Sequence, residues 1–193
     1  MKHTVIEILF TLLNLSPIER LDLDICKLNR FANIIQSTSH LEGKGDEDIE
    51  NLLSILSDLS QLYVKPKESK YSSCGVFQAV PKFTLLKLSC DDLHDPILAT
   101  KEALMRLHSL KRKFFNGGLY DGKGNIAENK QIELALIYLM GGHNHCNKPS
   151  SSCDRHKKQI ALRLRELKKS SKSDSEQTKK RKEEIKNKIS QCL

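Results

Sequence analysis

The chain has 193 residues, 32 Lys and Arg against 24 Asp and Glu, a formal net charge of +8 and no tryptophan. That length fits one globular domain with an appendage, and a portion of about 150 residues is enough to bury a core. Six cysteines are few for a disulfide-scaffolded secreted domain, no apolar run reaches the roughly 20 residues of a membrane span, and no enzyme class follows from the composition.

Residues 4–15 are mostly apolar, interrupted by Glu7, and no small-residue cleavage site follows. They read as a buried first helix and not as a targeting segment, so the protein is expected to be intracellular, not secreted, with reduced cysteines. Ser16-Pro17-Ile18-Glu19 then combines a capping serine, a proline suited to the first helical position and a glutamate that closes a capping box. Ile18, Leu21, Ile25, Leu28, Ala32 and Ile35 follow at helical spacing. Gly43-Lys44-Gly45 breaks the chain. Asp46, Glu47 and Asp48 open a third helix, where carboxylates favour the helix dipole. Its stripe is Ile49, Leu52, Leu53, Leu56, Leu59 and Tyr63, and Pro66 stops it.

Residues 67–93 have short alternating runs at 76–80 and 83–88, separated by Pro81, and are read as loop or short helix. Asp95-Pro96 opens a strong helix with Ile97, Leu104, Leu107, Phe114 and Phe115 as expected core positions, ended by Asn116-Gly117-Gly118. A loop leads to a helix over 126–140, ended by Gly141-Gly142. Asp154 is expected to cap a basic helix reaching Lys169. Ser170–Ser175 breaks the pattern, and the last helix, from Glu176, carries only Ile185, Ile189 and Cys192 as a stripe. The expected architecture is all-α: a multi-helix bundle over 1–142, a Cys/His link over 143–156 and a basic helical C-terminal tail over 157–193.

Charge follows the same division. Residues 1–153 hold 18 basic and 18 acidic side chains, whereas 154–193 hold 14 basic and 6 acidic, so the last forty residues carry the whole excess. Such asymmetry points to nucleic acid or an anionic membrane surface as partner, against the plainer reading of a solvated, solubilising helix. The candidate contacts are Lys111, Arg112 and Lys113 near a helix end, Lys157, Lys158, Arg163, Arg165, Lys168 and Lys169 on the basic helix, and Lys179, Lys180, Arg181 and Lys182 beyond it. Lys168-Lys169 and the 179–182 cluster also have the spacing of a bipartite nuclear import signal, which makes an import receptor a further candidate partner. The tail has no aromatic residue for base stacking, so phosphate contacts without sequence readout are expected.

His143, Cys146, Cys153 and His156 form two short pairs joined by a Lys-Pro-Ser-Ser-Ser loop. Zinc takes four nitrogen or sulfur donors in a tetrahedron, and paired ligands on a flexible link can supply them. This set is the candidate metal site, structural in role, with His145 as substitute. The competing reading is a polar linker with reduced thiols. No nucleophile–base–orienter set can be assembled, so no catalytic residue is assigned and the protein is read as no enzyme.

In this order the elements resemble an orthomyxovirus matrix protein. The opening helix with Ser16-Pro17-Ile18-Glu19, the Gly43-Lys44-Gly45 turn into an acid-started helix, Leu107–Gly118 with its basic Lys111-Arg112-Lys113 and glycine ending, and apolar Leu134–Met140 before the Cys/His cluster all lie in the family's order, over about residues 1–156. The ligand order His, Cys, Cys, His departs from the family's two cysteines followed by two histidines, and the C-terminal part is shorter and more basic. The resemblance implies a viral structural protein of the host nucleus and cytoplasm and of the virion's inner layer. It would self-associate and bridge ribonucleoprotein (RNA) to an anionic membrane. The alternative is a zinc-containing nuclear regulatory protein that binds RNA or DNA through its basic tail.

Overall fold

The computed structural model describes residues 4–15, 24–41, 46–56, 73–116, 118–123, 126–140, 151–172 and 175–192. Among them are seven α-helices: α1 (Val5–Leu15), α2 (Ile25–Leu41), α3 (Asp46–Ile55), α4 (Pro96–Phe115), α5 (Glu128–Met140), α6 (Ser151–Lys172) and α7 (Glu176–Ile189). The described residues form no named strand; their only β pairing is two isolated bridges, Cys74 to Ala79 and Tyr120 to Ile126. The fold is all-α. None of the described helices is long and apolar enough to cross a membrane.

Local chemistry sets most helix ends. The Glu7 that interrupts the apolar run of α1 completes a capping box: its carboxylate accepts from the Thr4 N–H at 2.9 Å while its own N–H donates to Thr4 Oγ1 at 3.3 Å. α2 starts later than the sequence suggests. Asp24 stands outside the helix and accepts from the Cys26 N–H at 3.0 Å, so the described helix begins at Ile25, and Ser16-Pro17-Ile18-Glu19 and Leu21 lie outside the described residues. The Asp95 carboxylate caps α4 by accepting from Ile97 and Leu98, and Asn116 ends it in the left-handed region. Ser175 caps α7. The serines expected to break the basic helix do so late, because α6 runs on through Ser170 and Ser171 to Lys172.

One core unites these elements. Ile8, Leu9 and Leu12 of α1, Leu28, Phe31 and Ile35 of α2, Leu52 and Leu53 of α3, Leu104 and Leu107 of α4, and Leu134 of α5 are buried together. Ile160, Leu164 and Leu167 of α6 and Ile185 of α7 belong to the same cluster. The expected tail is therefore part of the bundle. α6 packs on α1, α3 and α5, and α7 on α1 and α2. Three fully buried apolar residues at i, i+4 and i+7 are enough to seat a helix whose remaining surface is charged. Ile97, expected in the core, is 48% exposed although Leu104, seven residues on along the same face, is buried, because Ile97 lies in the first turn of α4. Leu59 and Tyr63 lie outside the described residues.

The region read as loop or short helix is both. A Cys74–Ala79 bridge, 3₁₀ turns at Pro81–Phe83 and Asp92–His94, and a Cys74–Cys90 disulfide make a compact lobe around Cys74, Ala79 and Leu93. Phe77 joins it to the main core against Phe31, with ring centroids 6.1 Å apart. The lobe is also tied to α4 by Glu102. This fully buried carboxylate accepts from the backbone N–H of Leu85 at 2.8 Å and of Leu86 at 2.9 Å.

Candidate polyanion-binding surface

The thirteen basic residues singled out by sequence do not form one set. Lys111 turns inward, its Nζ 3.0 Å from Glu47 Oε1 and 4.0 Å from Asp48, while His108 Nε2 lies 3.1 Å from Asp48. Glu47 and Asp48, two of the three acids that open α3, are thus buried partners of α4, and Tyr120 adds a side-chain hydrogen bond to Glu47 that raises its phenol above the ordinary value. Arg112 and Lys113 are exposed on the last turn of α4, where cations suit the helix dipole.

On α6, burial of Ile160, Leu164 and Leu167 dictates which cations face water. Lys157, Lys158 and Arg165 are exposed. Arg163 is not; burial lowers its pKa, and its Nη1 donates to the Ser54 carbonyl at 3.3 Å, near the end of α3. Lys168 and Arg165 both approach Glu128 of α5, at 3.4 and 3.7 Å. Lys169 lies in the helix, with no side chain described. Leu162, 59% exposed, stands between Lys158 and Arg165 at helical spacing, an apolar point inside a basic face.

On α7, Lys179, Lys180 and Arg181 are exposed and Lys182 is half-buried. The Arg181 guanidinium lies 5.5 Å from the Phe10 ring centroid and Lys182 Nζ 3.9 Å from Glu7 of α1. Lys179 and Lys180 line a shallow depression with Glu176 and Glu183, so charge there alternates in sign. Lys157, Lys158, Lys179 and Lys180 have no ion pair among the described residues.

The candidate zinc ligands fare differently. His143 and Cys146 lie outside the described residues. Cys153 is buried and disulfide-bonded, so its sulfur is no thiolate donor, and His156 follows one turn later on α6. The oxidised sulfur does not fit a zinc site, and among the described residues no three His, Cys, Asp or Glu side chains converge on one. The expectation of reduced cysteines is corrected too. Besides Cys74–Cys90, Cys26 at the start of α2 is bonded to Cys192 beyond the end of α7, 166 residues away. The even cysteine count was the one sequence signal for this; no local pattern announces a pairing so distant.

Comparison with known proteins adds no relative: no family model, no curated protein and no solved structure matches the chain.

Proposed function

We propose that this protein is a non-enzymatic structural protein that grips a polyanion through the solvent face of α6 and α7. In the specific form suggested by its sequence resemblance, it is a matrix-type protein that self-associates and bridges ribonucleoprotein to an anionic membrane. One observation carries the reading. Lys157, Lys158, Lys179 and Lys180 are exposed, without acidic partners among the described residues, on two helices whose apolar stripes enter a single core. Cations held on rigid helices meet a phosphate array without first being ordered, and each phosphate neutralised releases condensed counterions. Leu162, exposed within the basic face of α6, supports contact with lipid as well as with RNA.

The disulfides favour a second reading. Such bonds persist where thiols are oxidised and are rare in the cytosol. In an oxidising compartment the same face meets a sulfated polysaccharide, whose charge array resembles that of a nucleic acid.

Binding of poly-U RNA to the full chain at several salt concentrations separates these readings. With Lys157, Lys158, Arg165, Lys179, Lys180 and Arg181 engaged, log K falls with log salt at a slope of about −4. Replacing Lys157, Lys158, Lys179 and Lys180 by Ala removes about 3 from that slope. No binding in dilute salt, or a slope untouched by the four substitutions, overturns the proposal for RNA. Heparin binding without RNA or anionic-liposome binding selects the second reading.

A further inference from the structure

We infer that the Cys26–Cys192 disulfide is a reducible clasp that holds α7 on the bundle and, when opened by a dithiol, releases α7 as a basic arm. α7 is the least anchored helix of the described core. Ile185 is its one buried residue, Ile189 is half-buried, and its ties to α1 include Arg181 over Phe10 and Lys182 near Glu7. α6, by contrast, inserts Ile160, Leu164 and Leu167 at no more than 2% exposure and touches three helices. Chain beyond α7 returns to the bundle at Cys192, where the bond to Cys26 closes the assembly.

Both cysteines of the clasp are half-buried, less enclosed than Cys74 of the other bond at 6% exposure, which leaves the clasp the more open of the two to an incoming thiolate. Its attack on Cys192 Sγ forms a mixed disulfide and expels the Cys26 thiolate. The second thiol of the reductant, as thiolate, then attacks its own bonded sulfur and expels the Cys192 thiolate. The two protons of the dithiol end on the two cysteines, and the reductant leaves as a cyclic disulfide. Cys26 sits in the first turn of α2, where backbone N–H dipoles stabilise the departing thiolate, with Lys27 adjacent and the Asp24 carboxylate offsetting part of that field. Once open, the two thiols part as α7 moves away. The Cys74 and Cys90 thiols instead stay close, held by the Cys74–Ala79 bridge and by a loop only 16 residues apart in sequence. The same dithiol therefore opens the clasp first.

Release frees Arg181 from Phe10 and Lys182 from Glu7. This regulatory consequence rests on the polyanion reading above; the clasp itself does not.

Hydrogen exchange of the full chain tests the clasp, with oxidised protein, protein in graded dithiothreitol, and the C26S/C192S variant that keeps the other cysteines. Amides of 176–189 exchange at least about tenfold faster on reduction and in the variant, while those of 153–167 keep their protection. Alkylation mass spectrometry finds Cys26 and Cys192 modified at a lower reductant concentration than Cys74 and Cys90. Unchanged protection of α7, or loss of protection in α6 along with it, overturns the clasp. Poly-U binding by the same samples tests the link: Arg181 is already exposed and engaged in the closed state, so the freed Lys182 steepens the salt slope by about 0.7. A slope that stays constant while α7 is released overturns the link alone, and absence of poly-U binding in every state overturns the RNA form of the polyanion reading.

Discussion

Glu102 offers the sharpest test of how the lobe at 73–95 is held. Its side chain is fully buried and gives one carboxylate oxygen to the Leu85 N–H and the other to the Leu86 N–H. Hydrogen bonds to a charged acceptor contribute about 1.5–3 kcal/mol each. The two share one carboxylate and are not additive, and Leu85 is exposed enough for its N–H to find water after truncation. Removing the buried charge also relieves part of its desolvation cost. The net loss for Glu102→Ala is therefore about 2–4 kcal/mol. Glu102→Gln keeps one acceptor oxygen but turns an amide donor towards the second N–H, so it loses about 1–2 kcal/mol. Urea unfolding followed by helical circular dichroism gives the order wild type, Gln, Ala. For a chain of this length each kcal/mol corresponds to about 2–4 °C in Tm. Hydrogen exchange localises the effect, with the Leu85 and Leu86 amides losing protection before those of α4. An Ala variant within 0.5 kcal/mol of wild type refutes the reasoning, because it would mean that the loop is held without the carboxylate.

Three further outcomes are expected. Gly75 has φ +72°, and a Cβ there would fall on the Leu93 carbonyl oxygen. Gly75→Ala is destabilising by about 2–4 kcal/mol in urea unfolding, since backbone cannot step aside as a side chain can. Arg163→Met keeps the aliphatic stem, loses one hydrogen bond and removes a desolvated cation, so stability changes by no more than about 1 kcal/mol. Its poly-U affinity stays at the wild-type value, whereas Lys158→Ala lowers affinity, and a fall for Arg163→Met would place that residue on the binding face after all. Asp92 accepts from the Ser89 hydroxyl at 2.7 Å and the Ser89 N–H at 2.8 Å, which hold its carboxyl below the ordinary 3.8. A depressed carboxylate contributes stability above its unfolded pKa and loses it as pH falls through the folded value. Carboxyl-carbon NMR finds the Asp92 midpoint below 3.8, and Ser89→Ala moves it back towards 3.8; an unmoved midpoint assigns the shift to another cause.

Legibility divides by the range of the interaction. Asp95-Pro96 and Asn116 cap their helix where sequence placed them, because a cap is settled within four residues, whereas Asp154, expected to cap the basic helix, lies inside α6, which already starts at Ser151. Thr4 and Glu7 carry the same signal, hidden because Glu7 reads first as an interruption of an apolar run. The stripe of α2 missed Phe31, and that of α4 wrongly took in Ile97, since a helical period names a face but not how wide it is or how far along the helix a neighbour covers it. At the candidate site, sequence found the cations and not their partners. Lys111 reaches Glu47 across 64 residues, Lys168 reaches Glu128 across 40, and Arg163 reaches the Ser54 carbonyl across 109.

Sequence alone determined that the chain is helical, where most helices begin and end, and that its charge is concentrated in the last forty residues. Tertiary structure decided that those residues are no separate tail, which cations remain in water, and that Cys26 and Cys192 meet across 166 residues. The reason is physical. Periodicity, capping and net charge are written in neighbours along the chain, whereas ion pairing, disulfide pairing and exposure depend on which helix faces come together, and that is settled only when all the stripes bury at once.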